Sequence, residues 1–264
     1  MKIKFRLNGK TCCVQASAGE NGRKLMQRLG IASVRNSDDA TGVTGSDAIR
    51  LNGKIVNAGL LVASQLDGHS IETVEALSDG RTLSAVQSAL VDAGVVQSGY
   101  HAPAAALILT DLLERVLEPT QADIVDAFSG FYTRDSGYQQ YFGAVALARE
   151  RRKNPAYPAR VAEEFREDLR DVGTVRRKID GPQLVLGQKA FVEDRVEPGS
   201  CVLMFLRSPH AHAYIQAIDT AEALKLPGVI LILTHENSPD VYYTQAGQNA
   251  PEPSPYDRKM FNQK

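Results

Sequence analysis

The sequence predicts an α+β protein of three successive parts: a small mixed sheet of the β-grasp kind, a four-helix bundle, and a further segment of strands. Apolar residues alternate at the N-terminus and around the dipeptides Asn8-Gly9 and Asn52-Gly53, which marks β-hairpins. From Thr82 the apolar period changes to that of a helix, and strand-like runs return after Lys189. The parts are placed at residues 1–78, 79–151 and 173–264, with a charged stretch at 152–172, holding Pro155 and Pro158, as the linker.

Ile3, Phe5 and Leu7 alternate with Lys4 and Arg6 ahead of Asn8-Gly9, so the chain opens with a hairpin. Arg23–Leu29 places Leu25, Met26 and Leu29 on one helical face and stops at Gly30, which suits a left-handed C-cap. Ile49–Val56 forms the second hairpin, and a strand at Ile71–Val74 closes the sheet. The bundle follows: one helix carries Val86, Leu90 and Val91, the next Leu107, Ile108, Leu112 and Leu113. A third starts at the capping-box-like Thr120-Gln-Ala-Asp123, and a fourth spans Gln139–Arg151. The run Arg149-Glu-Arg-Arg-Lys153 reads as a solvated helix end, and Val161–Val172 as helical for part of its length. Strands are expected at Lys189–Val192, Cys201–Arg207, Tyr214–Asp219 and Val229–Thr234, with a short helix at Ala221–Leu224 ended by Pro227-Gly228.

With 264 residues, 43% apolar content and a net charge of -1, the chain has no basic footprint for nucleic acid. Apolar runs such as Ala104–Leu109 fall far short of the roughly 20 residues of a membrane span, and Met1–Leu7 lacks the apolar core of a signal peptide. A cytoplasmic protein is expected. Cys12, Cys13 and Cys201 give neither a disulfide framework nor a metal spacing; neighbouring strand residues face opposite ways, so Cys12 and Cys13 are expected as one buried and one exposed thiol.

Two loop segments carry a family resemblance: Asp39-Ala-Thr-Gly-Val-Thr-Gly-Ser-Asp47 with Gly59, and Gln97-Ser-Gly-Tyr-His-Ala-Pro103 with Ser129–Tyr138. They resemble the iron–sulfur part of the xanthine dehydrogenase/aldehyde oxidase family of molybdenum hydroxylases. A plant-type two-iron cluster needs four thiolates, three of them in a C-x4-C-x2-C loop. At the positions implied for the first cluster stand Asp39, Thr44, Asp47 and Gly59; at those for the second stand Ser98, His101, Thr133 and Asp135. Gly42 and Gly45 of the first loop remain. The resemblance therefore implies a degenerate ferredoxin-like β-grasp domain and a degenerate iron–sulfur bundle, with no metal bound and no catalytic residue in this chain. His101 and Asp135 would meet if the cluster geometry persists, in a structural role. The resemblance also implies that Gln97, preceding the first ligand position of its loop, lies against molybdopterin carried by the rest of the enzyme.

Gly187–Asp194, Leu206-Arg-Ser-Pro-His-Ala-His-Ala213, Ile218-Asp219 and Leu226–Val229 resemble the opening of the family's α/β hammerhead domain. His210 and His212 would share a strand face, but no third metal ligand stands at a suitable spacing. In family order the chain is similar to the front of selenium-linked molybdenum hydroxylases of the selenate reductase kind. The expected function is the N-terminal portion of a molybdenum-dependent oxidoreductase, a purine or heterocycle hydroxylase or a selenate reductase-like enzyme, not catalytic alone. The alternative is a docking or scaffold module. Downstream molybdopterin-binding domains or a separate subunit are the implied partners, with a possible electron-transfer subunit. The hammerhead is expected to be incomplete at Lys264 and to expose a sheet edge, while residues 1–150 are expected to fold without metal.

Overall fold

Asn8 and Asn52 take positive φ (50° and 48°), and the glycines after them take 80° and 79°, the pair of left-handed residues that a type I′ turn requires. In this computed structural model, which describes residues 1–37, 41–158, 177–243 and 259–261, those turns join β1 (Lys2–Leu7) to β2 (Lys10–Gln15) and β3 (Ala48–Leu51) to β4 (Lys54–Asn57). The registers run Leu7↔Lys10 and Leu51↔Lys54 outward from the turns. Between the hairpins lies β5 (Ser70–Glu72), parallel to β1 and antiparallel to β3, giving the order β2-β1-β5-β3-β4. The strand thus starts one residue earlier than predicted, and Val74 belongs to a 3-10 turn.

Alternation puts Ile3, Phe5 and Leu7 on one sheet face, where α1 (Gly22–Arg28) covers them with Leu25 and Met26. Asn21 caps the helix by accepting from the Lys24 amide at 2.8 Å. Gly30 (φ 84°) ends it, its amide donating to the Gln27 carbonyl. Cys13 is exposed as expected, whereas Cys12 is half-buried rather than buried, because β2 is an edge strand with cover from one side only.

The bundle consists of α2 (Ala85–Asp92), α3 (Ala102–Arg115), α4 (Gln121–Ala127) and α5 (Tyr138–Lys153). Thr120 and Asp123 form the expected capping box, as do Ser84 and Gln87. Every residue of α3 from Ala102 to Leu113 is buried, so this helix is covered on all sides over that length. The basic run at the end of α5 is not wholly solvated. Arg151 is 8% exposed and donates to Asp92 on α2 at 2.5 Å, and Arg152 donates to the Leu113 carbonyl at 2.7 Å. A buried carboxylate distant in sequence turned a surface pattern inward.

The chain forms two compact units, Met1–Pro198 and Gly199–Lys264. The first therefore runs on past residue 172, where the sequence ends the linker. Within it, α6 (Gly181–Val185) sends Leu184 and Val185 into the bundle core, and Gln87 donates to the Val185 carbonyl at 3.1 Å. Gly187 (φ 75°) then passes so close to the β-grasp part that a Cβ would lie 2.6 Å from Val74 and 2.7 Å from Ser33. No strand forms at Lys189–Val192: the amides of Ala190 and Phe191 both donate to the Asp194 carboxylate, closing a turn instead.

In the second unit α7 (Ala221–Leu224) forms as predicted. The segments Cys201–Arg207, Tyr214–Asp219 and Val229–Thr234 are unpaired, against expectation, and the side chains from Val202 to Leu206 are 69 to 103% exposed. A strand needs a neighbour to satisfy its amides and carbonyls, and the described residues of this unit offer none. Asp39, Val161–Val172 and the prolines at 251, 253 and 255 lie outside the described residues. Among those described, no helix is long and apolar enough to cross a membrane.

Candidate functional site

Two loops collect the polar residues that the sequence singles out. The first links α1 to β3. Gly42 and Gly45 adopt left-handed φ (74° and 68°), and a Cβ on Gly45 would stand 2.6 Å from the Gly130 carbonyl, so glycine lets this loop lie against the bundle. Asn57 holds the Gly42 carbonyl at 2.9 Å. Thr44 and Ser46 both bond Ser37, at 2.5 and 2.6 Å, and Ser46 donates to the Arg35 carbonyl. Asp47 is 2% exposed and accepts from the Gly59 amide at 2.5 Å.

The second site lies where the segment entering α3 meets the segment entering α5. Ser98 donates its hydroxyl to Asp135 Oδ2 at 2.8 Å and its amide to Oδ1 at 3.4 Å. Thr133 Oγ1 bonds His101 Nδ1 at 3.3 Å and accepts from the Asp135 amide at 3.1 Å. His101 Nδ1 stands 3.9 Å from Asp135 Oδ2. All four implied ligand positions of the second site thus converge, and the expected meeting of His101 with Asp135 occurs. Phe131 and Tyr100 place ring edges or faces against His101, at 5.5 and 5.9 Å between centroids. Behind them burial pushes the Tyr141 phenol up to about 12, and the Asp135 charge adds to the rise.

Arg35, which the sequence pattern did not mark, joins the two loops. It is 6% exposed, donates to the Gly99 and Tyr100 carbonyls at 2.6 and 2.8 Å, and lies over the rings of Tyr100 and Phe191. Burial holds its pKa below the ordinary guanidinium value, although Tyr100, Asp194 and Glu75 oppose that shift. With Gln27, Lys189 and the two rings it lines a cleft of about 290 Å³. Nothing local in the sequence distinguishes it from any other exposed-loop arginine.

Gln97 is exposed at the edge of the second site. His210 and His212 are exposed in an unpaired stretch, so no shared strand face forms. Among the described residues no group of three or more His, Cys, Asp or Glu side chains could hold a metal ion. Chemically the second site is a hydrogen-bond network in which the Ser98 hydroxyl is turned to the Asp135 carboxylate and His101 Nδ1 bonds Thr133, rather than a serine–histidine pair.

Comparison with known proteins places these loops in context. Residues 73–146 match a family described as "[2Fe-2S] binding domain", and residues 186–264 match "Aldehyde oxidase and xanthine dehydrogenase, a/b hammerhead domain". The chain is 51% identical over its whole length to the Escherichia coli protein named "Probable hypoxanthine oxidase XdhD", of which it spans 28%. It is 30% identical to the nicotinate dehydrogenase small FeS subunit of Eubacterium barkeri over 58% of this chain and 97% of that one. The solved aldehyde oxidoreductase of Desulfovibrio desulfuricans superposes with a TM-score of 0.68 at 25% identity, covering 89% of this chain and 27% of that one.

Proposed function

The chain belongs to the aldehyde oxidase and xanthine dehydrogenase family of molybdenum hydroxylases, and on that premise we propose that it is the docking portion of a molybdenum-dependent oxidoreductase that binds no iron–sulfur cluster itself. One observation carries this: the donor set at the implied ligand positions does not fit. Cluster iron takes thiolate sulfur, whereas the second site offers two hydroxyls, an imidazole and a carboxylate already bonded to one another. At the first, the described positions hold Thr44, Asp47 and Gly59, and glycine has no side-chain donor at all. Cys12, Cys13 and Cys201 stand outside both loops.

The partner in this proposal is a polypeptide or downstream domain that carries molybdopterin, which supplies the oxidation chemistry when bound. Exposed Gln97 is the residue of this chain available to that cofactor. The unpaired, apolar segment Val202–Leu206 is suited to pairing with the same partner, since hydrogen bonding and apolar cover would both be gained. A purine or related heterocycle is the proposed substrate class, in keeping with the name of the 51% identical relative. A cytoplasmic location belongs to the same proposal.

Co-expression of the 264-residue chain with the molybdopterin-bearing family polypeptide tests it. The chain alone is expected to be inactive and low in iron and sulfide, and the co-purified complex to oxidise hypoxanthine with an artificial acceptor. Selenate reduction without purine oxidation would reassign the substrate. Stoichiometric iron and sulfide in the isolated chain would overturn the cluster-free proposal.

A further inference from the structure

We infer that Ser98, His101, Thr133 and Asp135 form a metal-independent clasp that fastens the segment entering α3 to the segment entering α5. The inference rests on the cluster-free state proposed above and adds a mechanical role to it. Four polar side chains at implied ligand positions could each have turned to solvent separately. Instead they face one another across gaps of 32 and 37 residues in sequence. Asp135 takes both the hydroxyl and the amide of Ser98, so a single carboxylate fixes the backbone as well as the side chain of the opposite loop. Thr133 completes a ring by bonding His101 on one side and the Asp135 amide on the other.

Neighbouring contacts brace the same assembly. Ser98 Oγ also accepts from the Tyr100 amide at 3.1 Å, and Tyr100 donates its hydroxyl to the Asn36 carbonyl at 2.6 Å. Gly99, between them, packs so tightly on Leu184 that any Cβ there would overlap that side chain. The loop bearing Gln97 is therefore fixed in place before any partner arrives, and a preformed surface loses less conformational entropy on docking.

Amide hydrogen exchange on the intact 264-residue chain tests the clasp, with peptides covering 97–102, 132–138 and the β1–β2 hairpin as control. In the wild type both loops are expected to be protected equally before and after dialysis against chelator. Ser98→Ala and, separately, Asp135→Ala should each speed exchange in both loops by about tenfold, in line with the loss of one or two side-chain hydrogen bonds, leaving the hairpin unchanged. Asp135→Asn, which keeps acceptor oxygen, should restore part of the protection. Loosening confined to the mutated loop, or unprotected loops in an iron-free wild type, would overturn the clasp alone. Chelator-dependent protection accompanied by bound iron would overturn the cluster-free proposal with it. Should Asp135→Ala fail to fold, the milder change at exposed Ser98 still decides the matter.

Discussion

The Gly59 amide donates to Asp47 at 2.5 Å, closing the third implied ligand position of the first loop onto the fourth. Two sites that would each hold iron in the motif have become donor and acceptor of one buried hydrogen bond. Asp47→Ala leaves that amide without its acceptor in a position where the aspartate is 2% exposed, which should cost about 1–3 kcal/mol. Urea denaturation of the wild type and variant measures it; Asp47→Asn should lose less, and added iron should rescue neither.

Restoring thiolates at the second site should restore metal. Positions 98, 135, 133 and 101 are already linked one to the next by hydrogen bonds, so the quadruple variant Ser98→Cys, His101→Cys, Thr133→Cys, Asp135→Cys is expected to become coloured on reconstitution with iron and sulfide. Elemental analysis would then give a stoichiometric two-iron content in the variant against none in the wild type. A colourless, folded variant would show that the loops no longer have room for a cluster.

Stability should fall at alkaline pH through Tyr141. Burial pushes its phenol up from the ordinary 10.0 to about 12, so the folded state holds the proton more tightly. The associated stabilisation, roughly 2–3 kcal/mol, is fully present below pH 10 and is lost as pH rises through the folded value. Tyr141→Phe should flatten that loss when unfolding is followed between pH 9 and pH 12.

Arg23 should be better replaced. It is 5% exposed in α1, and its Nε and one terminal nitrogen are buried with no hydrogen-bond partner among the described residues. Burying such donors costs about 1–3 kcal/mol, so Arg23→Met, of similar length and apolar, should raise the unfolding midpoint in urea. A lower midpoint would reveal a partner for the guanidinium.

What was legible in the sequence was local. Asn8-Gly9 and Asn52-Gly53 require left-handed backbone, Gly30 stops a helix, and Thr120 with Asp123 caps one, each within four residues. The loops too could be placed, because their glycines and motif spacing survive. What depended on distant partners was not legible. Arg151 looks like a surface arginine until Asp92 is brought beside it, Arg35 gains its place only when Gly99, Tyr100 and Phe191 converge, and the runs at 201–207 and 229–234 have strand-like composition but no neighbouring strand among the described residues. Burial of α6 likewise follows from a groove that Gln87 and Gly99 form only once the bundle exists.

The close approach of Gly187 to Val74 and Ser33 has a consequence for how members of this family can be recombined. The hammerhead match begins at residue 186, and a gene-level swap would naturally cut there. In the folded chain that junction is an internal seam: Leu184 and Val185 lie in the bundle core on one side of it, and Gly187 is wedged against the β-grasp part on the other. A fragment ended at residue 150 or 172 would leave the Leu184 groove open to water, so the independent folding expected for residues 1–150 should pass to residues 1–198. Exchange of modules between relatives should then succeed with crossovers near Pro198 and fail at 186, making the border between homologous segments differ from the border between units that can be inherited separately.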